Sequence, residues 1–266
     1  MRATSRQPAP GRPGFTGDPV AARVTAGRPL LVLDTATRQA VVGLAATDGS
    51  QLIALESWGA GHRHGDELLS RLDALLAGAG IEPARLGGIC VGTGPGSFTG
   101  LRIGLATAKV LAYSLALPIV GIATSRALGR ALADESRAGE VAVVLPAGAR
   151  DRYLARLRLG PGHVEELGPP QIVAAFDAAQ PADSDDPTDG PTLVAVDLEP
   201  PEVPAEAARL GRAAVAGLPL ALAHEGAAEL AAGRLTDVAT LVPGYVALPR
   251  GIAAAAESMQ WSPDLR

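Results

Sequence analysis

Two stretches of this chain bring together residue types that could do chemistry. The first is Asp34-Thr35-Ala36-Thr37, an acid and two hydroxyls directly behind the apolar run Leu30-Leu31-Val32-Leu33. An acid at a strand end, followed by hydroxyls at a turn, can hold a metal-bound phosphate or cap the turn itself. The second is Gly92-Thr93-Gly94-Pro95-Gly96-Ser97-Phe98-Thr99-Gly100. Glycines there open backbone angles closed to other residues and let a neighbouring group approach the main chain. Pro95 fixes part of the turn, and Ser97 or Thr99 can cap a following helix. Free N–H groups and the positive end of a helix dipole suit an anion. The nucleotide or anion candidates are therefore Asp34, Thr35, Thr37, Gly94, Gly96, Ser97, Thr99 and Gly100.

Neither familiar phosphate loop fits. A P-loop needs Lys and then Ser/Thr after its last glycine, and Gly100 is followed by Leu101 and Arg102. A dinucleotide fingerprint needs a glycine where Ser97 stands and an acid roughly 20 residues on, and the stretch from Leu117 to Ser125 supplies none. His62 and His64 sit on a glycine-rich loop, but two ligands do not make a metal site. No metal is expected.

These residues need a scaffold, and the pattern supplies one. An apolar strand is predicted from Pro29 into Asp34-Thr35-Ala36-Thr37, then strands over 39–45 and 51–58, with Asp48-Gly49 as a hairpin turn. An amphipathic helix follows over 66–79, with Leu68, Leu72, Leu75 and Leu76 on one face. A buried strand over 88–91 runs through the glycine turn into a helix over 101–115, and a fifth strand covers 118–122. Three meandering strands, helix, strand, helix, strand is the order of a ribonuclease-H-like half. A weaker pass follows: a helix over 123–133, strands over 140–145, 152–159, 163–167 and 192–196, and helices over 205–216 and 225–232. The expected fold is α/β: duplicated ribonuclease-H-like halves in an actin-like ATPase architecture. Residues 1–28, rich in Pro, Gly and Arg, read as a disordered leader without the apolar core of a signal peptide. The first half spans 29–122, the second 123–251, and 252–266 reads as a flexible tail.

Composition narrows the function. The 266 residues, 47% of them hydrophobic, can build a sizeable core, yet no apolar run approaches a membrane span. A net charge of −5 opposes a protein that grips nucleic acid unaided. The single cysteine, Cys90, excludes a disulfide framework, and a cytoplasmic setting is expected.

Read in order, Asp34-Thr35-Ala36-Thr37, Arg63-His64-Gly65-Asp66-Glu67-Leu68-Leu69 and Gly94-Pro95-Gly96-Ser97-Phe98-Thr99-Gly100-Leu101-Arg102-Ile103-Gly104 resemble the bacterial TsaB family. The resemblance runs from about Pro29 to Arg250 and is densest in the first half. It implies a part in making threonylcarbamoyladenosine beside the anticodon of tRNAs that read codons starting with A. It implies a non-catalytic subunit that scaffolds and activates a catalytic paralogue, TsaD, with a TsaE-like ATPase joining them. It also implies tRNA contact only through the complex, a homodimer when alone, and no required cofactor, with ATP or ADP and Mg entering at the complex. The catalytic paralogue carries an H-x-x-x-H metal motif shortly after the corresponding strand and turn; here that segment reads Ile122-Ala123-Thr124-Ser125-Arg126-Ala127-Leu128. The second half departs from the family at Pro146–Tyr153 and at Pro243–Ala247. The alternative is a free-standing enzyme of actin-like fold, a glycoprotease-like peptidase or a small-molecule kinase. The first needs a metal triad or an activated nucleophile, the second a pair of phosphate turns.

The helix over 101–115 is apolar on too much of its circumference. Leu101, Gly104, Leu105, Ala108, Leu111, Ala112 and Leu115 form one broad face. Ile103, Ala106 and Val110, with Thr107 and Ser114, lie opposite and are the expected partner face. Arg102, Lys109 and Tyr113 form the strip between them that reads as solvent-facing.

Overall fold

The computed structural model describes residues 27–59, 64–133, 138–175 and 190–246. The first sheet contains β1 (Leu30–Asp34), β2 (Gln39–Ala45), β3 (Leu52–Gly59), β4 (Gly88–Gly92) and β5 (Ile119–Ile122). Its order is β3-β2-β1-β4-β5, antiparallel through β3, β2 and β1, and parallel from β1 to β5. Every residue of β1 and β4 is buried, as expected of central strands covered on both faces. On one face lie α1 (His64–Gly78) and α2 (Phe98–Leu115). Leu68, Leu72, Leu75 and Leu76 of α1 join Leu105, Ala108 and Ala112 of α2 over Leu31, Leu33, Val42 and Ile89.

The second sheet contains β6 (Gly139–Pro146), β7 (Asp151–Gly160), β8 (His163–Glu166), β9 (Gln171–Ala174) and β10 (Thr192–Ala195). Its order is β10-β6-β7-β8, with β9 beside the other part of β7. The β6–β7 and β7–β8 pairs are antiparallel, and β10 runs parallel to β6. The strand β9 has no counterpart in the sequence-based expectation. Its four residues alternate too little to signal a strand, and only pairing along β7 defines it.

Between the sheets lie α3 (Thr124–Ala133) and α4 (Ala205–Ala231). Here the sequence reading is corrected: the two helices expected over 205–216 and 225–232 are one 27-residue helix with Pro219 inside it. An interior proline removes a hydrogen bond and costs about 3 kcal/mol. Burial offsets that cost, because Ala214, Leu218, Leu222 and Ala223 join a cluster with residues of both sheets, while Ala227 and Leu230 pack with Leu30, Cys90 and Val120 of the first. Gly226 is required for this passage, since a methyl group there would overlap the Cys90 sulfur. One helix therefore stitches both cores together, and Val32, Ala45 and Ile122 of the first half share a cluster with Val143, Leu145 and Leu157 of the second.

After α4 the chain returns to the first sheet. Thr236 donates its N–H to the Ile119 carbonyl and accepts the Gly121 N–H at its hydroxyl, and Leu241 is buried in the core under α2.

Candidate functional site

The C-terminal ends of β1, β4 and β5 meet at Asp34. The carboxylate is fully buried. Its Oδ1 accepts the Ala36 N–H at 2.8 Å, and its Oδ2 accepts the Thr124 hydroxyl at 2.8 Å. The Thr124 oxygen in turn accepts the Gly94 N–H at 3.0 Å, and the Thr124 N–H donates to the Gly94 carbonyl at 2.7 Å. A closed network thus joins the end of β1, the glycine turn and the start of α3. Burial pushes the Asp34 carboxyl up from 3.8 to about 6; the two hydrogen bonds pull it down, and the nearby Asp197 raises it further.

The glycine turn is built around this hairpin. Ser97 donates its N–H to the Ala36 carbonyl at 2.7 Å, and Thr93 donates to the Ile122 carbonyl at 2.8 Å. The Ser97 hydroxyl caps α2 by accepting the Gly100 N–H at 3.1 Å. Side chains at Gly96 and Gly100 would overlap the carbonyls of Ala36 and Thr35. Thr35 donates its hydroxyl to the Gly100 carbonyl at 2.8 Å, and Thr37 donates to the Gln39 carbonyl at 2.8 Å. Thr99 is exposed on the first turn of α2. The structure therefore brings Asp34, Thr35, Gly94, Gly96, Ser97 and Gly100 together, with Thr37 next to them, and commits most of their polar groups to one another.

A cleft of about 200 Å³ opens beside this junction, between the two sheets. Ala36, Thr37, Arg38, Gly96 and Ser97 line it from the first half, and Leu145, Pro146 and Asp197 from the second. Asp197 crosses the gap: its Oδ2 accepts the Arg38 N–H at 2.6 Å. Burial raises the Asp197 carboxyl, against the Arg38 hydrogen bond and charge, which lower it. Thr124 and Asp197 carry the geometry, yet the sequence reading did not single them out. Both had a signal: a threonine opening a helix, and an acid just past a buried strand, as at Asp34.

A peptidase or kinase would need more than this. A carboxyl held near 6 has the pKa of a general base, but both Asp34 oxygens are occupied and the group has no exposed surface. His62 lies outside the described residues, and His64 opens α1. Among the described residues no group of three His, Cys, Asp or Glu could hold a metal ion. At the corresponding turn of the second half, between β6 and β7, the cleft is walled by Leu145 and Pro146.

On the sheet-facing side of α2, Leu101, Gly104, Leu105, Ala108 and Ala112 are buried, while on its far face Ala106 and Ser114 are exposed and Val110 is 63% exposed. Thr107 and Ile103 are half-buried, and Ile103 packs against the core under α2. In the strip of Arg102, Lys109 and Tyr113, Lys109 departs from the solvent-facing expectation. Lys109 donates from Nζ to the Leu241 carbonyl at 3.0 Å. Arg102 stacks on Phe98 at 3.8 Å and donates from Nε to the Tyr245 hydroxyl at 3.0 Å. These two hold the segment after α4, which the Gly244 N–H also ties to the Thr93 carbonyl. Arg102 and Tyr113, the latter 72% exposed, face solvent as expected, and Lys109 is half-buried. Leu69 of α1 is also exposed, at 59%.

A protein-family model described as "TsaD: tRNA N6-adenosine threonylcarbamoyltransferase" matches residues 59–185. An uncharacterized protein of Mycobacterium tuberculosis is 31% identical over 146 residues, covering 55% of this chain and 65% of that protein. The tRNA threonylcarbamoyladenosine biosynthesis protein TsaB of Haemophilus influenzae is 30% identical over 128 residues, 48% of this chain and 53% of that protein. The chain thus spans roughly half to two thirds of the length of these curated relatives. Among solved structures, a Pseudomonas aeruginosa protein described as similar to peptidase YeaZ superposes with a TM-score of 0.63 at 22% identity, over 83% of this chain and all of that one. The last likeness establishes a shared mixed α/β fold.

Proposed function

We propose that this chain is a TsaB-like, non-catalytic subunit of a threonylcarbamoyl transferase complex. It scaffolds and activates a TsaD-like catalytic paralogue, which modifies the adenosine beside the anticodon of tRNAs reading codons that start with A. A TsaE-like ATPase joins the complex, and tRNA meets this chain only there. The outer face of α2, with Val110 and Ala106 at its centre, is the partner surface, and it pairs with a second copy when the paralogue is absent. The second sheet repeats, as β8-β7-β6-β10, the order β3-β2-β1-β4 of the first, which supports reading the chain as two ribonuclease-H-like halves.

The observation that carries this reading is Thr124. By the resemblance, the catalytic paralogue has a metal-binding histidine motif shortly after the equivalent strand. Here the helix opens on Thr124, whose hydroxyl is tied to Asp34 and whose oxygen holds the Gly94 N–H. The junction is a structural clamp. Similarity to TsaB proteins over about half of the chain supports the same reading.

Reconstitution tests it. The purified chain is assayed for threonylcarbamoyl transfer to tRNA alone, then with its genomic TsaD-like and TsaE-like partners. Transfer is expected only in the assembly, and it should fall when this chain is left out. Efficient transfer by the chain alone, or no binding to the TsaD-like partner, refutes the proposal.

A further inference from the structure

A second cavity, of about 450 Å³, lies where the chain after α4 meets the glycine turn and the segment between β8 and β9. Pro95 lines it from the turn, Pro169 and Pro170 from that segment, and Tyr245 and Val246 from the chain after α4. The one charged residue in its lining is Glu166, the last of β8. Among the described residues the Glu166 carboxylate has no hydrogen bond or ion pair. Arg126 and Arg234, which line a neighbouring cavity with it, are bonded instead to Glu225 and Glu229. Apolar walls with a single unpaired acid fit a segment that carries apolar side chains and one base.

The chain delivers such a segment to the spot. The Leu241 carbonyl accepts from Lys109 at 3.0 Å, the Gly244 N–H donates to the Thr93 carbonyl at 2.8 Å, and the Tyr245 hydroxyl accepts from Arg102 at 3.0 Å. These bonds pin the backbone up to the cavity wall, where the described residues end at Val246. The sequence continues Ala247-Leu248-Pro249-Arg250: apolar residues, then a base. Four residues span at most about 14 Å, and a compact cavity of this volume is roughly 10 Å across, so the base can reach the acid. We propose that residues 247–250 of this chain occupy the cavity, with Leu248 and Pro249 against its prolines and the Arg250 guanidinium on the Glu166 carboxylate. Tethering favours this occupant over a separate partner, because a segment attached at the cavity wall has an effective concentration on the order of millimolar. So seated, it ties Glu166 of the second half to the glycine turn of the first.

Limited proteolysis of the full chain decides it, with cleavage after position 250 followed by mass spectrometry. Trypsin cuts after Arg250 only when the segment is out of the cavity, so the rate reports the undocked fraction. Wild type should be cut there at least about tenfold more slowly than a free peptide of residues 244–256, as a segment docked about nine-tenths of the time would be. Glu166→Arg should be cut at the peptide rate; Glu166 is exposed, so its reversal leaves the core intact. Arg250→Glu, followed with a glutamate-specific protease, should also be cut as fast as its own peptide. Glu166→Arg combined with Arg250→Glu should regain the protection. Wild-type cleavage at the peptide rate overturns the inference, as does protection that survives Glu166→Arg or fails to return in the double exchange. Protection that grows with protein concentration overturns it too, because the tail of a second copy would then be the occupant. Arg250→Glu decides alone if Glu166→Arg does not melt cooperatively.

Discussion

Asp34 makes stability depend on pH in a direction opposite to that of most carboxylates. The carboxyl is fully buried and its folded-state pKa is pushed up from 3.8 to about 6. Two hydrogen bonds support the ionised form, yet desolvation outweighs them. A shift of about two units corresponds to roughly 3 kcal/mol. Because the folded pKa lies above the unfolded one, the associated stability is complete below pH 3.8. It is lost as pH rises through about 6 and stays lost at neutral pH. Asp34→Asn removes the titration. The amide oxygen can still accept the Ala36 N–H, and the amide nitrogen can donate to the Thr124 oxygen. The Thr124 hydroxyl hydrogen then loses its acceptor, a cost of about 1 kcal/mol. The variant should therefore be more stable than wild type by about 2 kcal/mol at pH 7.5, and equal or weaker at pH 3.5. Urea unfolding of both proteins from pH 3.5 to 8 measures this. The difference between them cancels the titrating groups that are not coupled to Asp34, leaving Asp34 and its neighbour Asp197. A difference that is flat, or that falls as pH rises, refutes the reasoning and means the hydrogen bonds dominate. If the variant folds and binds its partner while the complex loses activity, Asp34 has a chemical role and the clamp reading fails.

The two faces of α2 separate in a second experiment. Val110→Arg should leave a folded monomer that no longer binds the TsaD-like partner, whereas Leu105→Arg, only 3% exposed, should unfold the chain. Sedimentation and thermal melts on both report it; a folded, fully associating Val110→Arg protein removes α2 from the interface. Gly100→Ala should be destabilised by about 1–3 kcal/mol although alanine is the better helix former, because its methyl group meets the Thr35 carbonyl. A melting temperature equal to or above wild type would contradict that close approach. Glu225→Gln should cost about 1–2 kcal/mol by weakening the 2.6 Å bond to Arg126 between α3 and α4, and a stability change that disappears in high salt would mark the pair as solvent-screened instead.

The glycine run, the acid behind β1 and the leucine spacing of α1 made the first half legible from sequence, because each is a local pattern with one physical reading. Gly88 to Val91 could only be a buried strand, and a helix without proline or acid had to follow the turn. The second half was harder. The sequence pattern placed two helices with Pro219 in the gap between them, and a proline breaks a helix unless burial along both sides outweighs the lost hydrogen bond. Only the packing of α4 between two sheets decided that. The same holds for Lys109, whose charge read as solvent-facing until the chain after α4 returned to accept its hydrogen bond at the Leu241 carbonyl. Thr124 and Asp197 were ordinary polar residues in the sequence. Their partners, Asp34 and Arg38, lie 90 and 159 positions away, and no local pattern encodes a hydrogen bond of that span. The sequence determined which residues build the turn. The tertiary structure decided that carboxylates fill it, because only folding brings the second half's acid to the first half's amide.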